Sequence, residues 1–115
     1  MGSAARLLAF LLLGWAIEVV AERPPSALEL FVRPDKGHCI ACHRLPDNAG
    51  PQTRADLGPA LDGRRMREIG KARLRDVLAD PTRANPATVM PPFGRHRILD
   101  DAEIGRLVDF LHGLP

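Results

Sequence analysis

Residues 39–43 read "CIACH", and the reading of these five positions decides what kind of fold the chain can have. Cys39 and Cys42 are the only cysteines in 115 residues, and His43 follows the second directly. Two thiols and one imidazole are therefore gathered for a single task, in a chain that spends no other sulfhydryl.

Four uses of such a cluster can be weighed. A disulfide between Cys39 and Cys42 closes so tight a loop that it constrains little of the unfolded chain. A thioredoxin-like redox pair requires a βαβ context, and no such pattern surrounds the motif. Zinc would need two further ligands from among His38, His43, His96 and His112, which lack the usual paired spacing. The fourth use is covalent attachment of c-type haem, for which C-x-x-C-H is the signature: both thiols add to the porphyrin vinyl groups and the adjacent histidine binds iron. The adjacency of His43 favours haem over the other three.

The remainder of the sequence is consistent with an exported, cofactor-dependent domain. Arg6 precedes the apolar run "LLAFLLLGWAI", and Val19 and Ala21 occupy the small-residue positions before Glu22, so residues 1–21 read as a signal peptide and residues 22–115 as one domain. The apolar run falls short of the roughly 20 residues that span a bilayer, and Glu18 interrupts its far end. No membrane span is expected in the mature form. With 16 Lys and Arg against 14 Asp and Glu, the net charge of +2 lies far from that of a nucleic-acid binder. So small a domain buries little apolar surface and often depends on a metal, disulfides or a cofactor.

Helical patterns appear and strand patterns do not. "PSALELF" places Ser26 three residues before Glu29, the spacing of a capping box, and Pro34 ends the run. "GKARLRDVLADP" repeats Leu74, Val77 and Leu78 at helical spacing up to Pro81. A third helix begins at Asp100 or Asp101, with Glu103 as negative charge in its first turn and Ile104, Leu107, Val108 and Leu111 on one face. Two long loops join these three amphipathic helices: "RLPDNAGPQTRADLGPALDG" after the motif, and "PTRANPATVMPPFGRHR" before the last helix. Loops of that length in a small domain tend to be functional or disordered, and a buried macrocycle would give both a surface to wrap.

A second axial ligand must come from Met66, Met90, His38, His96 or His112. Met90 is the best placed, in an irregular loop stiffened by Pro91 and Pro92. Met66 lies among Arg64, Arg65 and Arg67, which suggests a surface or hydrophobic-edge position. The arginines from Arg64 to Arg75 read as a solvated helix face, and His112 suits the negative end of the last helix dipole.

"GHCIACH", "LGPALDG" and the tail from "DP" through "MPPFG" to the last helix resemble the class I cytochrome c fold over essentially the whole of residues 22–115. That resemblance implies an all-α fold of three or more helices around one covalent haem c. It also implies that the Pro59 carbonyl accepts a hydrogen bond from the His43 imidazole and that Leu61 packs on the haem. More narrowly, "DPTRANPATVMPPFGRHRILDDAEIGRLVDFLHGL" resembles the SoxX family, the monohaem subunit of the SoxAX complex of thiosulfate oxidation.

The SoxX resemblance implies Cys39 and Cys42 as thioether sites and His43 and Met90 as axial ligands. It implies a periplasmic location and three partners: a SoxA-like cytochrome subunit, a sulfur-carrier protein complex and a downstream cytochrome acceptor. In that family thiosulfate is joined to a carrier cysteine as an S-thiosulfonate, an L-cysteine S-thiosulfotransferase reaction that releases two electrons. The sulfur chemistry there belongs to the SoxA partner. With Cys39 and Cys42 consumed by haem, this chain keeps no thiol to act as a nucleophile, so the expected role is electron acceptance. A generic periplasmic class I cytochrome c carrier is the competing expectation.

Overall fold

The structure, a computed structural model, describes residues 20–115. The signal peptide expected over residues 1–21 lies outside the described residues except for its last two positions. The described residues form four helices, α1 (Ala27–Val32), α2 (Gly63–Ile69), α3 (Lys71–Ala79) and α4 (Asp101–His112), with short 3-10 turns at Cys39–Ala41 and Pro81–Arg83. Among the described residues there is no strand, and the expected all-α class stands.

The two terminal helices begin with the same device. In α1 the Ser26 hydroxyl accepts from the Glu29 amide at 3.2 Å, and the Glu29 carboxylate accepts from the Ser26 amide at 2.6 Å. In α4 Asp100 and Glu103 make the reciprocal pair at 2.7 and 3.0 Å. Each box satisfies backbone donors that helix geometry leaves unpaired. Pro34 disfavours a helical Arg33, and α1 stops at Val32.

Core formation follows the predicted faces. Ile104, Leu107, Val108 and Leu111 of α4 are all buried, and α4 packs on both α1 and α3. Leu30 and Phe31 of α1 are fully covered, with the Phe31 and Phe110 rings 6.1 Å apart and tilted by 60°. Burying a side chain such as Phe31 contributes about 2–3 kcal/mol. Glu103, expected only as first-turn charge, is also buried, and its carboxylate lies 2.7 Å from Lys36 Nζ. That pair ties the segment entering "CIACH" to the start of α4.

Helix α2 was not among the three expected. It begins at Gly63, the last residue of the first long loop, and runs on to Ile69, with Asp62 capping it by accepting from the Arg65 amide at 2.9 Å. Its sequence signal is faint because Arg64, Arg65, Arg67 and Glu68 surround its one buried side chain. That side chain is Met66, which is 3% exposed and sits in the core, and not at the surface or hydrophobic edge expected for it. The arginines around it outnumber the apolar positions, but the helix turns them outward and Met66 inward. Arg67 and the Gly63 amide hold the carbonyls of Leu114 and Pro115 at 2.8 and 2.9 Å, closing α2 onto the segment after α4.

Candidate functional site

The turn carrying "CIACH" is built against α1. The Gly37 amide donates to the Leu30 carbonyl at 3.1 Å, and a β-carbon at Gly37 would lie 2.8 Å from that oxygen and 2.9 Å from Cys39 Sγ. Only a glycine lets helix and thiol approach so closely. His38 then takes a left-handed conformation, φ 46°, and the Cys42 and His43 amides donate back to the Cys39 carbonyl at 3.1 and 2.9 Å. The motif's side chains thus share one wall.

A second segment is pinned along that wall by its backbone. Gly58 N donates to the Cys42 carbonyl at 2.8 Å, and Leu61 N to the Arg44 carbonyl at 2.9 Å. This register brings the Pro59 carbonyl within 2.7 Å of His43 Nδ1. The carbonyl can only accept, so Nδ1 carries the proton and Nε2 is the nitrogen left for a metal. Gly58 is packed flat on the ring: a β-carbon there would lie 2.3 Å from Cε1 and 2.7 Å from each ring nitrogen.

The remaining wall comes from the loop between α3 and α4. Thr88, Val89, Met90, Pro91 and Phe93 line, together with the residues above, a cavity of about 360 Å³. No Asp, Glu, Lys or Arg is among its lining residues. At its rim Leu57 and Val89 are 68% and 74% exposed, large apolar side chains that the polypeptide itself leaves uncovered. Phe93 is buried and joins the cavity to the core.

The five candidates for a second axial ligand separate by position. Met90 and His38 line the cavity; Met66, His96 and His112 do not. His38 adjoins Cys39 on the wall that already supplies His43, whereas Met90 comes from a separate segment. Of the six expected haem contacts, Cys39, Cys42, His43, Pro59 and Met90 meet at this cavity. Leu61 does not line it and packs half-buried on the core.

The donor set fits a haem better than the other chemistries. Burial pushes the Cys39 thiol up to about 12, with the neighbouring Cys42 adding to the shift and the backbone at Cys39 opposing it. Such a sulfur is a poor thiolate ligand for a metal ion. The two sulfurs are not joined to each other. Among the described residues no three His, Cys, Asp or Glu side chains converge as a metal-holding group. An uncharged, open-sided cavity with two thiols, one oriented imidazole and one thioether is what a porphyrin needs.

The sequence had marked the motif, Pro59 and Met90, but not Gly58 or Thr88. Gly58 was legible only as the small residue before Pro59, since its contact with His43 depends on pairing between residues 15 or more apart.

Comparison with known proteins agrees with this geometry. A family model described as cytochrome C oxidase, cbb3-type, subunit III matches residues 29–111. No curated protein matches the chain by sequence. Among solved structures the chain is similar to one in the crystal structure of SoxXA from P. pantotrophus, with a TM-score of 0.65 and 22% identity over 78% of this chain and 82% of that one. At that identity the likeness is one of fold. Among the described residues no helix is long and apolar enough to cross a membrane. With a family match running from within α1 into the last turn of α4, through both walls of the cavity, the chain belongs to that family and is a cytochrome c.

Proposed function

We propose that this cytochrome is the electron-accepting, SoxX-like subunit of a thiosulfate-oxidising complex, in which Cys39 and Cys42 would hold one haem c and His43 and Met90 would ligate its iron. The observation that carries the haem reading is the meeting of those four residues at one uncharged cavity. Bound there, haem supplies reversible exchange of one electron. The chain's residues do the rest. Cys39 and Cys42 fix the cofactor covalently, and the Pro59 carbonyl holds the His43 ring by its Nδ1 proton. Gly58 lets the backbone lie against that ring, and the apolar lining excludes water, which raises the potential at which an electron is accepted. A thioether from Met90 acts in the same direction.

The SoxX assignment is supported by the fold likeness to SoxXA and by the sequence from Asp80 to Leu114. In this reading a SoxA-like partner joins thiosulfate to a carrier cysteine: one S–S bond forms, the thiol proton leaves, and two electrons are released. This chain takes them one at a time and discharges each to a downstream cytochrome. Export to the periplasm, with cleavage after Ala21, belongs to the same proposal.

A second reading, a periplasmic electron carrier serving another oxidoreductase, is favoured by one observation, the cbb3-type description of the matching family. Copurification and reduction separate the two. The SoxX reading predicts a stable complex with a larger haem protein, and haem reduction by thiosulfate only when that partner and its carrier protein are present. Isolation as a lone chain, reduced as fast by an unrelated dehydrogenase, would establish the carrier instead.

A further inference from the structure

The loop that presents Met90 has few backbone donors with which to hold itself. Pro86, Pro91 and Pro92 carry no N–H, so between Asn85 and Phe93 only residues 87–90 can donate. Two of the four do so to a side chain two residues earlier. Ala87 N donates to Asn85 Oδ1 at 3.1 Å, and Met90 N to Thr88 Oγ1 at 3.1 Å. Thr88 N donates to the Asn85 carbonyl at 3.0 Å. Among the described residues no carbonyl accepts from Met90 N, so the Thr88 hydroxyl is the one partner fixing the backbone of the methionine. Thr88 also lines the cavity, and its branched side chain has few rotamers to lose in making the bond.

We infer that Thr88 is a positioning residue for the thioether of Met90: its hydroxyl closes a turn on the Met90 amide and holds the sulfur ready for iron, so that the ligand does not have to be ordered each time it binds. The inference rests on the proposed ligation by Met90 and adds what keeps that ligand in place.

Competition with added imidazole in the oxidised, haem-loaded protein tests it, since imidazole gains access to iron only when the thioether leaves. One net hydrogen bond lost from the bound arrangement corresponds to about a five-fold change in an equilibrium constant. Thr88→Val keeps the shape and removes the acceptor, so imidazole should bind about five-fold more tightly and the methionine-to-iron absorption band should weaken. Thr88→Ser restores the acceptor and should return both to the unmutated values. Should the valine variant fail to accumulate, Thr88→Ala carries the same expectation. Unchanged imidazole affinity in the valine or alanine variant, with the band present, overturns the role of Thr88 alone. The ligation reading is checked separately by Met90→Ala. If that variant keeps the band, or binds imidazole no better than the unmutated chain, Met90 is not the ligand and the inference falls with it.

Discussion

The helical frame and the cavity wall are stabilised in different currencies. In the frame, α1, α3 and α4 meet through Leu30, Phe31, Leu78, Ile104, Leu107 and Leu111, all nearly inaccessible to water. In the wall, residues 57–61 and 84–93 have little regular structure and hold their shape by single hydrogen bonds and close backbone approaches. Burial is non-directional and tolerates error, whereas a wall built from individual bonds places atoms accurately but with little to spare. The frame thus supplies stability, and the wall supplies the geometry that a redox cofactor requires.

The largest effect expected from breaking this contrast lies in the frame. Phe31→Ala removes a ring 1% exposed and in contact with Phe110, and should lower stability by about 3–5 kcal/mol in denaturant unfolding of the haem-loaded protein. A loss under 1 kcal/mol would mean that the cofactor, and not the α1–α4 contact, organises the core.

In the wall, Gly58→Ala asks more of orientation than of stability. The added carbon, 2.3 Å from His43 Cε1, must push the ring or the backbone aside. Overpacking of this kind costs about 1–3 kcal/mol. The reduction potential should move while the far-ultraviolet dichroism keeps its helical amplitude. A potential equal to that of the unmutated protein would show that the close approach of Gly58 does not constrain the imidazole.

The smallest effect concerns Asp80, where frame and wall join. Its carboxylate accepts from the Thr82 amide at 3.2 Å and from the Thr82 hydroxyl, and faces Arg95 Nη1 at 3.6 Å, beyond Met90 in the chain. These contacts, the Thr82 hydroxyl foremost, hold its pKa below the usual carboxylate range. A depressed folded value means that the stabilisation is complete above the unfolded pKa of about 4 and is lost as the pH falls through the folded value. Asp80→Asn should therefore flatten the acid side of the stability profile slightly and leave its slope above pH 6 unchanged. An acid limb identical to that of the unmutated chain would exclude Asp80 as a contributor.

The same contrast explains what could be read from the sequence. Capping at Ser26, the stop at Pro34 and the apolar face of Ile104, Leu107, Val108 and Leu111 are local patterns, and each formed where it was expected. Helix α2 was missed because one buried Met66 among arginines gives no period to detect. In the site, "CIACH" announced itself by composition, and Met90 stood out between stiff neighbours. Gly58 against His43, the pairing of buried Glu103 with Lys36, and the Thr88 turn depend on where distant segments lie or on side-chain rotamers, and neither leaves a mark in the order of residues.

The most direct test of the account is the intact mass of the denatured protein after expression with a cytochrome c maturation system, read together with thiol labelling. The account predicts the polypeptide plus one haem and no reactive thiol, because both Cys39 and Cys42 are in thioether linkage. A bare polypeptide mass, with the two cysteines free to label or oxidised to each other, would contradict it.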